Sequence, residues 1–233
     1  MNNLQKRIFT SIILISIVLS SLFISKITWS ILLLIVSVTA LYEFFFLIKK
    51  IYNDIFVKLI FWFFGGYYLS FFFNSAIDIR ETKGQFFVLF ILLIIIFSDV
   101  GGYVVGKFVG GPKLTKISPN KTFSGSLGSF FFSLLPLWLL ILFANFSEIN
   151  LEESITEFYW SSTFSKSFNN GVVLCLVLSF VSQIGDLIIS YFKRLAKVKD
   201  TGKFLPGHGG ILDRIDGIIF AIPATIIIES IIF

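Results

Sequence analysis

The chain alternates between long apolar runs and short polar segments. Seven of the apolar runs come close to the roughly 20 residues that a helix needs to cross the hydrocarbon core of a bilayer. Because backbone polar groups in lipid must be satisfied within the segment, each run predicts a helix. The predicted spans are Ile8–Ser25, Ile27–Ile48, Ile55–Phe73, Phe86–Val109, Ser126–Phe146, Gly171–Tyr191 and Ile211–Phe233. The pattern therefore predicts an all-α, polytopic transmembrane helical bundle of about seven spans.

Composition supports this prediction. Hydrophobic residues make up 56% of the 233-residue chain and charged residues only 14%, whereas a soluble domain carries about 25% charged residues. So little charge excludes a soluble enzyme, a disordered protein and a nucleic-acid binder. The lone Cys175 lies within an apolar run, so no disulfide framework is possible.

The distribution of basic residues predicts an orientation. If the N-terminus is cytoplasmic and the spans alternate, the inner segments hold 15 of the 19 Lys and Arg residues. The outer segments then hold only Lys26, Arg80, Lys83 and Lys166. This is the bias of the positive-inside rule, so we expect the N-terminus to be cytoplasmic and the C-terminus to lie outside.

Apart from Glu229 near the C-terminus, five acidic residues lie within the predicted spans, where ionisable groups are costly and usually face a protein interior or a wet cavity. They are Glu43, Asp99, Asp186, Asp213 and Asp216. The helical rise of about 1.5 Å per residue places all five in the cytoplasmic half of the membrane. We therefore expect one site in that half.

Helical spacing suggests what the site binds. Asp213 and Asp216 are three residues apart and share a helix face, and Asp186 shares a face with Gln183 and Lys193. Paired carboxylates are ligands for hard cations, with magnesium favoured where phosphates supply further oxygens. For Asp213 alone, an interaction with the positive N-terminus of the last helix is the alternative.

Two cytoplasmic loops carry the opposite charge. Residues 110–122 read GGPKLTKISPNKT and residues 193–214 read KRLAKVKDTGKFLPGHGGILDR. Lysine, glycine and small hydroxyl residues offer ammonium and backbone N–H groups to phosphate. Contact with anionic lipid is the alternative. It stays open for Lys113, Lys116, Lys197 and Lys203, whereas the site is favoured for Lys121, Lys193, Arg194 and Lys199.

Glycine supplies two further features. His208, the sole histidine, lies between Gly207 and Gly209, which would let its backbone approach a ligand closely. Glycines recur every fourth residue at Gly102, Gly106 and Gly110, a pattern that predicts close helix packing.

The stretch Ser190–Gly217 resembles the C-terminal signature of the phosphatidate cytidylyltransferases (CDP-diacylglycerol synthases). That signature reads S-x-x-K-R-x-x-x-x-K-D, a spacer, and H-G-G-x-x-D-R-x-D. The matching residues here are Ser190, Lys193, Arg194, Lys199, Asp200, His208, Gly209, Gly210, Asp213, Arg214 and Asp216. Asp186 also fits the family.

A second block, Ser98–Gly128, is similar to the family's S-D-x-x-x-Y…G-K…L…I-S-P-N-K-T segment. It matches at Ser98, Asp99, Tyr103, Gly106, Lys107, Leu114, Ser118, Pro119, Asn120, Lys121 and Thr122. The family commonly has a glutamate before the following glycine, where this chain has Ser124 before Gly125.

The resemblance implies a nucleotidyltransferase of phospholipid biosynthesis that converts CTP and phosphatidate to CDP-diacylglycerol and diphosphate. It implies N-terminal transmembrane helices over residues 1–85 and catalytic helices and loops over residues 86–233, in one integral membrane unit. The partners implied are CTP, phosphatidate and the membrane, without nucleic acid. The location implied is the inner (plasma) membrane, with several spans. A homodimer is left open.

Roles follow from the same resemblance. The catalytic residues would be Asp186, Lys193, Arg194, Asp213 and Asp216. Magnesium would be held by Asp186, Asp213, Asp216 and Asp99, with a second cation left open. Substrate would be bound by Ser118, Asn120, Lys121, Lys199, His208 and Arg214.

Three alternatives remain at the level of the sequence. A transporter would need charged residues across the full membrane depth, whereas the outer halves of the spans hold only Glu229. A CDP-alcohol phosphotransferase would need a longer aspartate motif, of which Asp213–Gly217 supplies only D-x-x-D-G, and a polyprenol kinase is the other enzyme alternative. Ser124 motivates the third, an inactive homologue.

Overall fold

The computed structural model describes residues 3–115, 117–146, 168–205 and 209–232, and these fold into helices without a named strand. The helices are α1 (Asn3–Ile24), α2 (Lys26–Ile51), α3 (Ile55–Lys83), α4 (Gln85–Val109), α5 (Phe123–Ser133), α6 (Leu135–Phe146), α7 (Phe168–Leu195), α8 (Leu212–Ile215) and α9 (Ile218–Ile232). The prediction of an all-α bundle is confirmed.

Within the described ranges, five helical segments are long and apolar enough to cross a membrane. They are α2, α3, α4, the continuous stretch Phe123–Leu142 through α5 and α6, and Asn169–Leu195 in α7. In α1 the apolar stretch Ile8–Ile24 is shorter, and α9 has 15 residues. The transmembrane bundle is therefore confirmed, while the count of seven spans stays a prediction.

A single residue, Ser25, separates α1 from α2. Its hydroxyl accepts a hydrogen bond from the Thr28 N–H at 3.1 Å, and its own N–H donates to the Thr28 hydroxyl at 3.2 Å. This reciprocal capping satisfies N–H groups that would otherwise lack partners at the start of α2. The buried Arg80 of α3 donates from Nη2 to the Leu22 carbonyl at 2.8 Å, which ties the end of α1 to α3.

Two predicted spans are not single helices. The fifth divides at Leu134, two residues before Pro136, because proline is tolerated in the first turn of a helix but not in its interior. The seventh divides into α8 and α9 at Asp216 and Gly217. A Cβ atom at Gly217 would lie 2.5 Å from the Ser182 hydroxyl oxygen, so glycine permits the close approach to α7.

Glycines bring α4 and α5 into backbone contact. A Cβ atom at Gly102 would lie 2.5 Å from the Ser129 hydroxyl, and one at Gly106 would lie 3.4 Å from the Gly125 Cα atom. Close packing is thus confirmed for these two glycines. It is wrong for Gly110, which follows the last residue of α4 with a φ of 65° and has open space around it. There glycine serves to end the helix.

The C-terminus of α7 reverses the chain toward α8. The Val198 N–H donates to the Lys193 carbonyl at 3.0 Å, and the Lys197 N–H donates to the Arg194 carbonyl at 3.1 Å. These two bonds form a Schellman motif, with Lys197 in the left-handed conformation at a φ of 54°. The turn directs the following segment toward the side chains that project from the end of α7.

Candidate active site

A polar cavity of about 300 Å³ lies between α4, α5, α7 and the loop of residues 110–122. Asp99 from α4 and Asp186 from α7 line it together with Lys121 from the loop. Ser118 and Asn120 lie in the same wall. The structure thus brings residues of the Ser98–Gly128 block together with Asp186, which follows Asp99 by 87 positions.

The 110–122 loop folds as a narrow turn closed by backbone hydrogen bonds. The Leu114 N–H donates to the Lys121 carbonyl at 2.8 Å, and the Phe123 N–H donates to the Pro112 carbonyl at 3.1 Å. Thr122 then caps α5 by accepting a hydrogen bond from the Gly125 N–H at 3.1 Å. Both ends of the loop are therefore fixed to helices, which holds Lys121 at the cavity.

Two carboxyl groups meet at the inner end of the cavity. Those of Asp186 and Asp216 contact each other, which puts like charges side by side. The Lys121 ammonium forms an ion pair with Asp186 Oδ2, and the Ser190 hydroxyl donates to Asp186 Oδ1 at 3.2 Å. Asp99 faces the same cavity. Three of the four predicted metal ligands are therefore neighbours.

The fourth, Asp213, has different surroundings. Its Oδ1 lies 2.7 Å from Lys193 Nζ, and its Oδ2 accepts hydrogen bonds from the N–H groups of Thr201 at 2.7 Å and Gly210 at 3.0 Å. Both oxygens already have strong donors.

Lys193 links the two groups of acids. Its charge acts on Asp186 and Asp216 as well as on Asp213. The predicted shared face of Asp186 and Lys193 on α7 agrees with this position. Only 14% of the Lys193 side chain is exposed, so this ammonium is not a surface group.

The donor set suits a hard divalent cation. Carboxylate oxygens are the protein ligands that Mg²⁺ prefers, and it commonly takes one or two of them and completes its shell with water and phosphate. No cluster of three or more His, Cys, Asp or Glu side chains arranged to hold a metal occurs within the described ranges. Asp186 and Asp216 therefore fit a magnesium ion that shares its remaining positions with a phosphate-bearing ligand.

Other predicted substrate-binding groups lie outside the cavity wall. Arg194 is exposed and donates from Nε to the Ile117 carbonyl at 3.3 Å, so it connects α7 to the 110–122 loop. Lys199 and Arg214 are exposed. His208 lies outside the described residues, as does Lys116.

The position where the family commonly has glutamate is occupied by a hydroxyl with local partners. The Ser124 hydroxyl donates to the Gly110 carbonyl at the end of α4, and it lies 3.0 Å from the Thr122 hydroxyl. Ser124 thus holds the loop ends together.

Sequence reasoning missed a chain of polar side chains that runs from the core into the cavity. Ser98 and Ser179 are hydrogen-bonded at 2.8 Å, and Gln183 Nε2 donates to the Ser179 hydroxyl at 3.3 Å. The Ser126 hydroxyl donates to Gln183 Oε1 at 2.6 Å. The helical spacing of Gln183 from Asp186 was the available signal. Sequence reasoning also missed Thr201, for which no spacing or motif gave a signal.

The amino-acid sequence of this chain is similar to those of known proteins. A family model described as "Cytidylyltransferase family" matches residues 46–232. The chain is 38% identical over 146 residues to a phosphatidate cytidylyltransferase of Staphylococcus aureus (strain COL), an alignment that covers 61% of this chain and 48% of that protein. The corresponding proteins of Staphylococcus saprophyticus and Staphylococcus haemolyticus are 37% and 35% identical over 144 residues, with the same coverage. The aligned part thus spans about half the length of these curated relatives.

Proposed function

The chain belongs to the cytidylyltransferase family, and from this premise we propose that it is a phosphatidate cytidylyltransferase. The proposed reaction is CTP + phosphatidate → CDP-diacylglycerol + diphosphate. A phosphate oxygen of the lipid attacks the α-phosphorus of CTP, and the bond from that phosphorus to the diphosphate oxygen breaks. The proposal places the enzyme in phospholipid biosynthesis.

The observation that carries the proposal is the pairing of acids and lysines around the cavity. Two substrates that both bear phosphate must approach each other, so the site needs positive charge and hard-cation ligands together. The contact of Asp186 with Asp216 next to Lys121 and Lys193 meets that need. No covalent nucleophile is required.

We assign the magnesium ligands to Asp186 and Asp216, with Asp99 as a further contributor. When bound, the ion supplies charge neutralisation to the triphosphate and to the diphosphate that departs. Since both oxygens of Asp213 already have donors, we assign to Asp213 the orientation of Lys193 in place of its predicted metal role. A second cation remains an expectation of the resemblance.

The remaining residues bind and orient the substrates. Lys121 exchanges its carboxylate partner for a phosphate oxygen, and Lys193 supplies a second ammonium from the same face of α7 as Asp186. Ser118 and Asn120 offer hydrogen bonds from the cavity wall. Arg194, Lys199, Arg214 and His208 are assigned to the cytoplasmic approach to the site, where positive charge attracts the nucleotide.

One contact argues against the transporter alternative. Glu229, the only acid in the outer halves of the predicted spans, lies 3.3 Å from Lys83 near the outer end of α3. This carboxylate is therefore engaged by a basic side chain and does not extend the row of acids across the membrane. This arrangement therefore does not favour an ion pathway of carboxylates through the full depth of the membrane.

The test is lipid labelling by CTP that carries the label at different phosphates. Purified protein in vesicles with dioleoyl phosphatidate and Mg²⁺ should move the label of α-labelled CTP into lipid, and that of γ-labelled CTP into diphosphate only. Transfer of the γ-label to a lipid alcohol would identify a kinase. No label in lipid from either form would leave the proposed activity without support.

We further propose that the chain resides in the bacterial plasma membrane with the cavity toward the cytoplasm. In a Cys175→Ala background, a cysteine at Asp78 should react with an impermeant thiol reagent added to intact cells. A cysteine at Lys113 should react only after the cells are opened. Labelling of position 113 in intact cells would contradict the proposed orientation and favour the opposite one. Whether two copies associate is measured by the mass of the detergent-solubilised protein.

A further inference from the structure

We propose that Glu43 is a positioning residue that, through Thr201 and Asp213, holds the Lys193 ammonium in place for the reaction. The role of Glu43 in the reaction rests on the proposed function, whereas its position relative to Thr201, Asp213 and Lys193 rests on the contacts described below. Glu43 lies in α2, three residues before the part of the chain that the family model matches. It belongs to neither sequence block that carries the resemblance.

Glu43 is a buried acid whose partners come from the loop before α8. It is only 2% exposed. Its Oε1 accepts a hydrogen bond from the Ile211 N–H at 3.0 Å, and its Oε2 accepts from the Leu212 N–H at 2.9 Å. The Thr201 hydroxyl lies 2.7 Å from Oε2. None of the ion pairs between described residues includes Glu43, so hydrogen bonds alone compensate its burial.

These contacts require a carboxylate. Each oxygen of Glu43 faces a backbone N–H donor, and an ionised carboxylate accepts from both. An amide in its place would put its NH2 group against one of these two N–H donors. The loop also has no room for a displaced side chain, because Cβ atoms at Gly202 and Gly210 would each lie 2.4 Å from a Glu43 oxygen.

Thr201 transmits the position of Glu43 to Asp213. Its hydroxyl is 2.7 Å from Glu43 Oε2 and 3.0 Å from Asp213 Oδ2, and its backbone N–H donates to the same Oδ2 at 2.7 Å. The hydroxyl has one proton, which it can donate to only one of the two carboxylates at a time. The two acids are thus connected through a single residue.

Asp213 completes the connection to Lys193. With Oδ2 fixed by the loop, Oδ1 faces Lys193 Nζ at 2.7 Å. A shift of the loop would therefore move the carboxylate that holds the ammonium. Since misplacing a catalytic contact by about 1 Å can lower a rate by about 100-fold, Glu43 acts on the reaction without touching substrate.

The first experiment is a double-mutant cycle on turnover. Glu43→Gln should lower kcat about 30-fold in the otherwise native protein, because it places a donor against buried donors. In a Lys193→Ala background the same change should cost less than about threefold, since the group that it positions is absent. Equal factors in both backgrounds, or no effect on the native protein, would overturn the inference.

A change of the hydroxyl alone guards against a folding defect in Glu43→Gln. Thr201→Val, assayed below its apparent unfolding temperature, should reduce kcat in the same way, and Thr201→Ser, which retains the hydroxyl, should keep most of the native kcat. Glu81→Gln is the matched control, since Glu81 is an exposed acid in an ion pair with Lys26. Equal activities for the Val and Ser variants would contradict the connection.

A second readout does not depend on catalysis. A cysteine at Lys203, in the Cys175→Ala background, reports the opening of the loop through its rate of reaction with a thiol reagent. Glu43→Gln should raise that rate several-fold, and Glu81→Gln should leave it unchanged. If the native protein forms no CDP-lipid, the proposed function fails, and the labelling rates still decide the placement. A labelling rate at position 203 that Glu43→Gln leaves unchanged would overturn the proposal that Glu43 holds the loop in place.

Discussion

Asp186 and Asp213 each lie next to a lysine, yet the two acids are compensated in different ways. Asp213 receives Lys193 at 2.7 Å and two backbone N–H groups. Asp186 receives Lys121 and a long bond from Ser190, and it also contacts a second carboxyl group, that of Asp216. One acid has a full set of donors, whereas the other shares a small space with like charge.

The difference in donors suggests that Asp186 and Asp216 bind the metal, whereas Asp213 orients Lys193. A carboxylate with complete hydrogen bonding gains little from a cation, because the cation would displace donors that already compensate the charge. Two touching carboxylates with one lysine in an ion pair gain much more from a divalent ion. We therefore expect removal of charge at the Asp186–Asp216 pair to affect metal use, and changes around Asp213 to act through Lys193.

The largest effect is expected at Asp216. Asp216→Asn keeps the shape and removes the charge, so it should lower turnover by more than about 100-fold through loss of transition-state stabilisation by the metal. The radiolabelled CTP assay measures it, with Asp78→Asn, an exposed change at the outer end of α3, as the control. Retention of more than about a tenth of the native activity would remove Asp216 from the metal site.

The next effect is expected at Lys193. Lys193→Ala should lower turnover about 100-fold, because it removes a charge-assisted contact to phosphate and leaves Asp213 without its cation. Lys193→Arg should restore activity in part, since a planar fork does not replace a compact ammonium. Lys197→Ala, four residues on and exposed, should cost about 1 kcal/mol or less. Equal small losses in matched vesicles would assign both lysines to the lipid surface.

A smaller effect, on stability, is expected where α4 meets α5 beside the cavity. A Cβ atom at Gly101 would lie 2.5 Å from the Gly128 carbonyl oxygen, so Gly101→Ala should destabilise the protein by about 1–3 kcal/mol. At Gly66 the nearest atom to an added Cβ atom, Leu41 Cδ1, would be 3.9 Å away. The apparent unfolding temperature in detergent should fall for Gly101→Ala and stay near the native value for Gly66→Ala. The reverse order would contradict the packing of these helices.

The smallest effect is expected at the end of α7. Lys197 has a φ of 54°, a conformation that glycine adopts without penalty. Lys197→Gly should therefore stabilise the protein by about 1 kcal/mol at most, and turnover should not change. The same unfolding measurement checks this. A loss of turnover would give Lys197 a role in the site that its exposure does not suggest.

The sequence by itself determined the class of fold and the family. Apolar runs of membrane length can satisfy their backbone only as helices, so the bundle followed from the pattern. The two blocks of fixed residues indicated the family that the family model then matched over residues 46–232. The cost of an acid in an apolar helix also grouped five acids into one predicted site. Of these, Asp99 and Asp186 line the cavity and Asp216 contacts Asp186, whereas Glu43 and Asp213 hydrogen-bond to Thr201.

Tertiary structure decided which acid meets which partner. Helical spacing grouped Asp213 with Asp216, but Asp213 contacts Lys193, Thr201 and Gly210, whereas Asp216 contacts Asp186. The spacing of residues along one helix says nothing about side chains that come from another helix. Thr201 and Glu43 are 158 positions apart and meet only because the end of α7 turns the loop back against α2. Contacts of that separation depend on packing, and packing is a property of the whole bundle.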